Sequence, residues 1–177
     1  MAAVCVFCGS ASGKGDDYLE FGKQVGHLIA EQNMELVYGG ASIGLMGAVA
    51  DGAMKANGKV IGVIPTFLKK LEVAHEGLSE LIETDNMHER KQVMYDRSET
   101  FLALPGGLGT MDELCEIATW EQLGIHNKKI VVFNHDGFFD HFISHLKKCL
   151  ETGFLSQEHF DFFHFVKNMD ELKAEIS

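Results

Sequence analysis

Thr100-Phe101-Leu102-Ala103-Leu104-Pro105-Gly106-Gly107-Leu108-Gly109-Thr110-Met111-Asp112-Glu113 runs from an apolar stretch through a glycine turn into a helical pattern that continues to about Leu123. Gly106, Gly107 and Gly109 let the backbone take positive φ and approach a ligand with no Cβ in the way. The helix start behind them presents unpaired N–H groups to an anion. The segment reads as strand, turn and phosphate seat. Glu113 follows in what this pattern makes the first helical turn, where a bound phosphate ester would repel it. Two arrangements account for an acid there. Thr110 as N-cap with Glu113 at the third helical position makes a capping box, in which the carboxylate folds back on a backbone N–H. Alternatively the carboxylate reaches into a cleft and does chemistry. The two differ in rotamer.

The pattern repeats outward from this stretch. Ala3 to Phe7 is an apolar run followed by Cys8-Gly9-Ser10-Ala11-Ser12-Gly13 and a helical stretch from about Asp17 to Asn33. Leu36 to Tyr38 leads into Gly39-Gly40-Ala41-Ser42-Ile43-Gly44-Leu45-Met46-Gly47, then an Ala-rich helix to Asn57 stopped by Gly58. Lys59 to Ile64 is a strand closed by Pro65. A loop with a short helical piece precedes a weak strand near Leu81 to Glu83 and a charged helix from Met87 to Ser98. After the stretch quoted first come a strand at Ile130 to Phe133, a helix from Gly137 to Glu151, a short run near Phe163 to Val166 and a last helix from about Met169. Apolar runs alternating with helices imply an α/β fold, a doubly wound, mostly parallel sheet of Rossmann type with helices on both faces. Ligands of such sheets sit at the carboxyl ends of the strands, so the loops after Phe7, Tyr38, Ile64 and Leu104 share one rim.

The 177 residues fit one domain, large enough to bury roughly 70% of the unfolded surface without a metal or disulfide staple. A net charge of −11 argues against a sequence-independent grip on nucleic acid or an anionic membrane. Four cysteines, with no basic leader and no long apolar span, suggest free thiols and a cytoplasmic location.

Several motifs carry less. A dinucleotide fingerprint would need G-x-G-x-x-G after the first strand, and it is missing. Gly9 to Gly15 superficially resembles a P-loop, but Lys14 is followed by Gly. Cys5 and Cys8, three apart along a strand, point to opposite faces and cannot easily chelate one ion. His141, His145 and Cys149 lie along one helix face without the acid of an H-E-x-x-H pattern, and read as surface. No metal is expected. Asp112 and Glu116 read as solvated or supporting. Met87, Arg90, Lys91 and Met94 share a helix face. Either their stems pack along the surface, or Arg90 and Lys91 face the phosphate seat, Arg making a planar two-pronged contact.

With these residues in hand, the chain resembles the Lonely Guy family of cytokinin riboside 5′-monophosphate phosphoribohydrolases, long labelled possible lysine decarboxylases. The resemblance runs nearly end to end. It rests on Phe7-Cys8-Gly9-Ser10, Tyr38-Gly39-Gly40 with Gly44-Leu45-Met46-Gly47, Met87-His88-Glu89-Arg90-Lys91, Pro105 to Glu113, and Thr119-Trp120 with Gln122-Leu123-Gly124. The resemblance implies hydrolysis of the N-glycosidic bond of an adenosine monophosphate to free base and ribose 5-phosphate, with Arg90 and Glu113 as the catalytic pair. It implies that the nucleotide is held by Lys91, Gly106, Gly107, Leu108, Gly109, Thr110, Met111, Asp112 and Thr119. Glu72 would add a contact from the loop after Pro65, and Gly9, Ser10, Gly39, Gly40 and Met87 would complete the rim. It further implies a homodimer. Leu108 stands where many plant members carry an aromatic residue and Asp112 where they often have Glu, which bears on base selectivity.

Breaking a C1′–N9 bond builds positive charge on the ribose, so a nearby carboxylate stabilises the transition state and can orient water. Glu113 suits that role. Arg90 would hold the phosphate or sugar hydroxyls and keep Glu113 ionised. No cofactor is expected, since a decarboxylase would need a Schiff-base lysine and a partner for a pyridoxal ring nitrogen. The alternative is a non-catalytic nucleotide-binding or carrier protein using the same rim, and a transferase is a further enzymatic one.

Overall fold

Why the apolar runs become strands is plain from where their side chains go. In β1 (Ala3–Phe7), Val4 and Val6 enter one core and Cys5 and Phe7 the other, so both faces of the strand are buried. The computed structural model describes residues 1–15, 17–69 and 73–177. Within them β1 is followed by α1 (Asp17–Glu31), β2 (Glu35–Tyr38), α2 (Gly44–Lys55), β3 (Val60–Pro65), β4 (Glu80–Thr84) and α3 (Met87–Asp96). Then come β5 (Thr100–Ala103), α4 (Leu108–Gln122), β6 (Lys129–Phe133), α5 (Asp140–Glu151), the single turn α6 (Gln157–Phe160), β7 (Phe163–Val166) and α7 (Met169–Ile176).

Among the described residues the strands form one seven-stranded sheet in the order β4-β3-β2-β1-β5-β6-β7, and every pairing is parallel. The winding reverses between β1 and β5, where Val4 pairs with Thr100 and Phe7 with Ala103. α1, α2 and α7 cover one face through Phe21, Val25, Ile29, Val49 and Leu172. α3 and α4 cover the other through Met94, Leu114 and Ile117, joined by Phe139 and the partly buried Phe142, Ile143 and Leu146.

The expected fold is therefore present, with local differences. α4 begins at Leu108 with Gly107 as its N-cap, ahead of Thr110. The helix expected from Gly137 is preceded by a short 3-10 turn at His135–Gly137, where Asp136 takes φ +48°. α6 has too few residues to leave a periodic signal.

Candidate active site

The reversal between β1 and β5 opens a crevice at the carboxyl end of the sheet, because the connections on its two sides leave in opposite directions. The loops after β1 and β5 meet there, and the Gly9 N–H donates to the Pro105 carbonyl at 3.0 Å. A second glycine turn, after β2, does something other than bind an anion. The N–H groups of Leu45 and Met46 at the start of α2 donate to the carbonyls of Ala11 and Gly9, at 3.2 and 3.1 Å. Gly44, at φ +62°, lies so close that an added Cβ would stand 2.1 Å from the Ser10 carbonyl oxygen. The α2 N-terminus is spent holding the first loop in place.

A cleft of about 620 Å³ results, with contributions from after β1, β2, β3, β5 and β6 and from the start of α3. One end is the expected seat: Gly106 to Thr110 line it at the N-terminus of α4, where the macrodipole and the first N–H groups favour an anion. Gly9, Ser10, Met87, Arg90, Asp112 and Glu113 line it as well. Leu108 stands at the mouth, 91% exposed.

Arg90 and Glu113, the expected catalytic pair, come to the same cleft although both are buried, at 4% and 6% exposure. α3 presents Arg90 from its first turn. That turn is fixed by Asn86, whose Oδ1 accepts from the Glu89 N–H at 3.0 Å, and by Glu89, whose Oε2 accepts from the Asp85 N–H at 2.7 Å. The guanidinium is then held by strand ends: Nε donates to the Val63 carbonyl at 3.1 Å and Nη2 to the Gly39 carbonyl at 3.2 Å. Nη1 lies 3.9 Å from the Met87 sulfur. A charge anchored by two carbonyls is pre-positioned and costs little reorganisation when a ligand arrives.

The helix start decides between the two arrangements considered for Glu113. With Gly107 as N-cap, Thr110 is the third helical residue and Glu113 the sixth, so the capping-box register is absent. Glu113 instead faces the cleft. Cys8 lies on the cleft floor, and its thiol is pushed far above its ordinary range by burial, then by Glu113, with Arg90 partly offsetting. Both charges thus act on one sulfur, and the thiol stays protonated, which removes it as a nucleophile.

Other expected residues lie elsewhere. Gly39 and Gly40 do not line the cleft; Gly39 acts through its carbonyl on Arg90, and its missing Cβ leaves room for Nη2, which would otherwise be 2.1 Å away. Met111 packs against the core under α4. Thr119 is on an exposed face of α4, its hydroxyl donating to the Cys115 carbonyl at 2.7 Å. Lys91 turns from the cleft to α4, where its ammonium meets Asp112 at 3.2 Å and Glu116 at 2.9 Å. Glu72 lies outside the described residues.

Several cleft residues escaped the sequence reading. Lys14, set aside with the failed P-loop pattern, lines the cleft between Gly13 and Gly15, and with Arg90 supplies its cations among the described residues. Tyr18 and Phe138 form an edge-to-face pair with centroids 6.4 Å apart and, with Leu45, Met46 and Leu68, make an apolar wall. Lys14, Tyr18, Leu45, Met46 and Leu68 follow strands whose loops the rim argument named, whereas Phe138 follows β6, which it did not. Cys5 and Cys8 point into opposite cores, as their spacing requires. His145 and Cys149 approach to 3.6 Å on α5, and among the described residues no three His, Cys, Asp or Glu side chains are grouped to hold a metal ion.

Known proteins extend the comparison. The family described as possible lysine decarboxylase matches residues 46–176. A probable cytokinin riboside 5′-monophosphate phosphoribohydrolase of Oryza sativa subsp. japonica is 46% identical over 156 residues, 88% of this chain and 69% of that one. A cytokinin riboside 5′-monophosphate phosphoribohydrolase of Arabidopsis thaliana is 41% identical over 173 residues, 98% of this chain and 76% of that one. Among solved structures, TM1055 superposes with a TM-score of 0.74 at 20% identity, covering 98% and 96% of the two chains. The Moco carrier protein of Chlamydomonas reinhardtii does so at 0.72 and 21%, covering 99% and 94%. At such identities these two likenesses speak for the fold alone.

Proposed function

The chain belongs to the family described as possible lysine decarboxylase, in company with the plant cytokinin riboside 5′-monophosphate phosphoribohydrolases, and on that premise we propose that it hydrolyses adenosine-type riboside 5′-monophosphates to free base and ribose 5-phosphate. The observation that carries this is the convergence of Glu113, Arg90 and the α4 N-terminus on one cleft. The phosphate sits against the amides from Gly106 to Thr110, in the cleft that Lys14 also lines. The apolar wall of Tyr18, Leu45, Met46, Leu68 and Phe138 takes the base.

The ribose then spans the distance between seat and wall, past Glu113. As the C1′–N9 bond lengthens, positive charge grows on the ring, and the carboxylate stabilises it. Glu113 orients the attacking water; the water oxygen bonds C1′, and its proton goes to the departing base. Arg90, held by the Gly39 and Val63 carbonyls, keeps a fixed positive charge near the phosphoribosyl group. The reading covers both AMP and N6-substituted AMP as substrates.

A homodimer is part of the same reading. Leu123 and Ile125 at the end of α4 are 67% and 56% exposed, and a second copy covering them also covers the face that carries Thr119. Four free thiols fit a reducing cytoplasm. No helix among the described residues is long and apolar enough to cross a membrane.

Incubation with AMP and isopentenyl-AMP, followed by chromatography for free base, tests the reading. Release of adenine or isopentenyladenine is expected, and intact nucleotides in both reactions would refute it. Calorimetry separates the carrier alternative, which requires tight nucleotide binding with no turnover in wild type or Glu113→Ala.

A further inference from the structure

The loop after β3 returns to the fold through a strap that the hydrolase reading does not use. Residues 73–75 lie against the glycine turn after β2. The Val73 carbonyl accepts from the Ser42 N–H at 2.9 Å and from the Ser42 hydroxyl at 2.7 Å, and the His75 N–H donates to the Gly40 carbonyl at 3.0 Å. Between them Ala74 makes an antiparallel bridge with Ala41. The turn beneath is itself fixed, because the buried Tyr38 hydroxyl donates to the Ala41 carbonyl at 3.2 Å. Val73 takes φ +48°, in the left-handed region that a β-branched residue enters only where its surroundings hold it.

The His75 side chain completes the strap. It is 11% exposed; Nδ1 donates to the Glu76 carbonyl at 2.6 Å, and Nε2 lies 3.1 Å from Oδ1 of Asp51 on α2. α2 also carries Leu45 and Met46, which belong to the apolar wall of the cleft. Leu68 joins that wall from the outgoing limb of the same loop, where its N–H donates to the Pro65 carbonyl at 2.9 Å. The two limbs are joined in turn by the Ala74 N–H, which donates to the Lys69 carbonyl at 3.3 Å. The contact between His75 and Asp51 therefore ties the loop that bears Leu68 to the helix that bears Leu45 and Met46. The ion pair of Lys69 with Glu83 on the same loop is 43% exposed on both sides and holds it only weakly.

We propose that His75 and Asp51 are positioning residues that hold this strap on α2 and so keep Leu68 in the wall that takes the base, without touching the nucleotide themselves. This rests on the reading above, which puts the base at that wall. Neither residue lines the cleft. A wall formed in advance costs nothing to order when the ligand arrives, whereas a loop that must be ordered on binding subtracts its conformational entropy from the affinity. The clamp therefore acts on the affinity for ligands that carry a base. It leaves the chemistry at Glu113 and the phosphate seat at the α4 N-terminus alone.

The test is initial-rate kinetics with AMP and calorimetric binding of ribose 5-phosphate, on wild type, His75→Ala, Asp51→Ala, Asp51→Asn, Leu68→Ala and the double variant of His75→Ala with Leu68→Ala. His75→Ala and Asp51→Ala should raise KM for AMP about tenfold with kcat within about twofold, the pattern of lost uniform binding. Loss of folded protein would do the reverse, lowering kcat and leaving KM alone. Ribose 5-phosphate has no base, so its affinity should stay within about twofold of wild type. Asp51→Asn keeps a polar partner for the ring nitrogen and should restore the wild-type KM. The double variant should have the KM of Leu68→Ala, since His75 acts through that wall. An unchanged KM in both alanine variants, an equal loss for ribose 5-phosphate, or additive losses in the double variant would overturn the proposal. If His75→Ala does not fold, Asp51→Ala carries the same comparisons, its carboxylate being 57% exposed. If wild type releases no base, the hydrolase reading fails by itself, and calorimetry of the same variants with AMP, which then stays intact, reads the loss of affinity directly.

Discussion

At the scale of single residues, the site depends on charges placed where water reaches them poorly. Glu113→Gln keeps the shape of a buried side chain while removing its charge, so base release should fall by about two to four orders of magnitude with nucleotide binding retained. Single-turnover kinetics beside calorimetry would check this, and an undiminished rate would remove Glu113 from the chemistry. Gly39→Ala attacks the pair from the other side. Its Cβ would stand 2.1 Å from Arg90 Nη2 and 2.8 Å from the Met46 sulfur, so the guanidinium must leave its two carbonyls. Activity should drop by tenfold or more, with most of the thermal stability kept, as a melt run beside the assay would show. Cys5 and Cys8 are buried and their thiols raised, so alkylation at pH 8 should label only Cys115 and Cys149 in the folded protein. Mass spectrometry of the labelled protein reads the count directly, and fast labelling of Cys8 would contradict the closed floor of the cleft.

Elements decide which of these residues meet. The strands and most helices were legible because apolar runs and helical periodicity are local properties, and the rim followed from parallel winding. What was not legible was which way neighbouring side chains turn. Arg90 and Lys91 look equivalent in sequence, and only the packing of α3 against β2, β3 and α4 sends one to the cleft and the other to Asp112. Thr110 looked like a cap because threonine is a good one, but Gly107 ends the loop earlier and leaves Thr110 inside the helix. The resemblance puts Gly39 and Gly40 on the nucleotide rim, and the structure uses the glycine turn after β2 to grip the first loop and to aim Arg90. Asn86 was missed although it begins the helix that carries Arg90. Asn86→Ala should cost about 1 kcal/mol, a fall in Tm of about 2–4 °C for a chain of this length. Scanning calorimetry measures it, and a change below half a degree would mean that the cap is dispensable.

For the whole molecule, burial of weak acids sets a limit at alkaline pH. Cys5, Cys8 and Tyr38 are all raised by desolvation first, so in the folded state they hold protons that the unfolded chain gives up. The unfolded state binds fewer protons there, and stability falls as pH rises. The thiols' contribution is lost above about pH 9 and that of Tyr38 above about pH 10, each group removing up to about 1.4 kcal/mol per further pH unit. Melting curves between pH 8 and pH 11 should show Tm nearly flat at first and then falling steeply. A curve flat throughout would mean that these groups are more hydrated than their burial implies.

The hydrogen bond from Gly9 to Pro105 ties the two loops on either side of the point where the winding reverses. Strands β1 to β4 lie to one side of that seam and β5 to β7 to the other. An anion lodged beneath it would stitch both halves at once, so amide exchange at Gly9 should slow when nucleotide binds, well beyond the slowing seen at the sheet's outer edges. The seat would then work as a clasp, tightening the middle of the molecule each time it is filled and loosening it as product leaves.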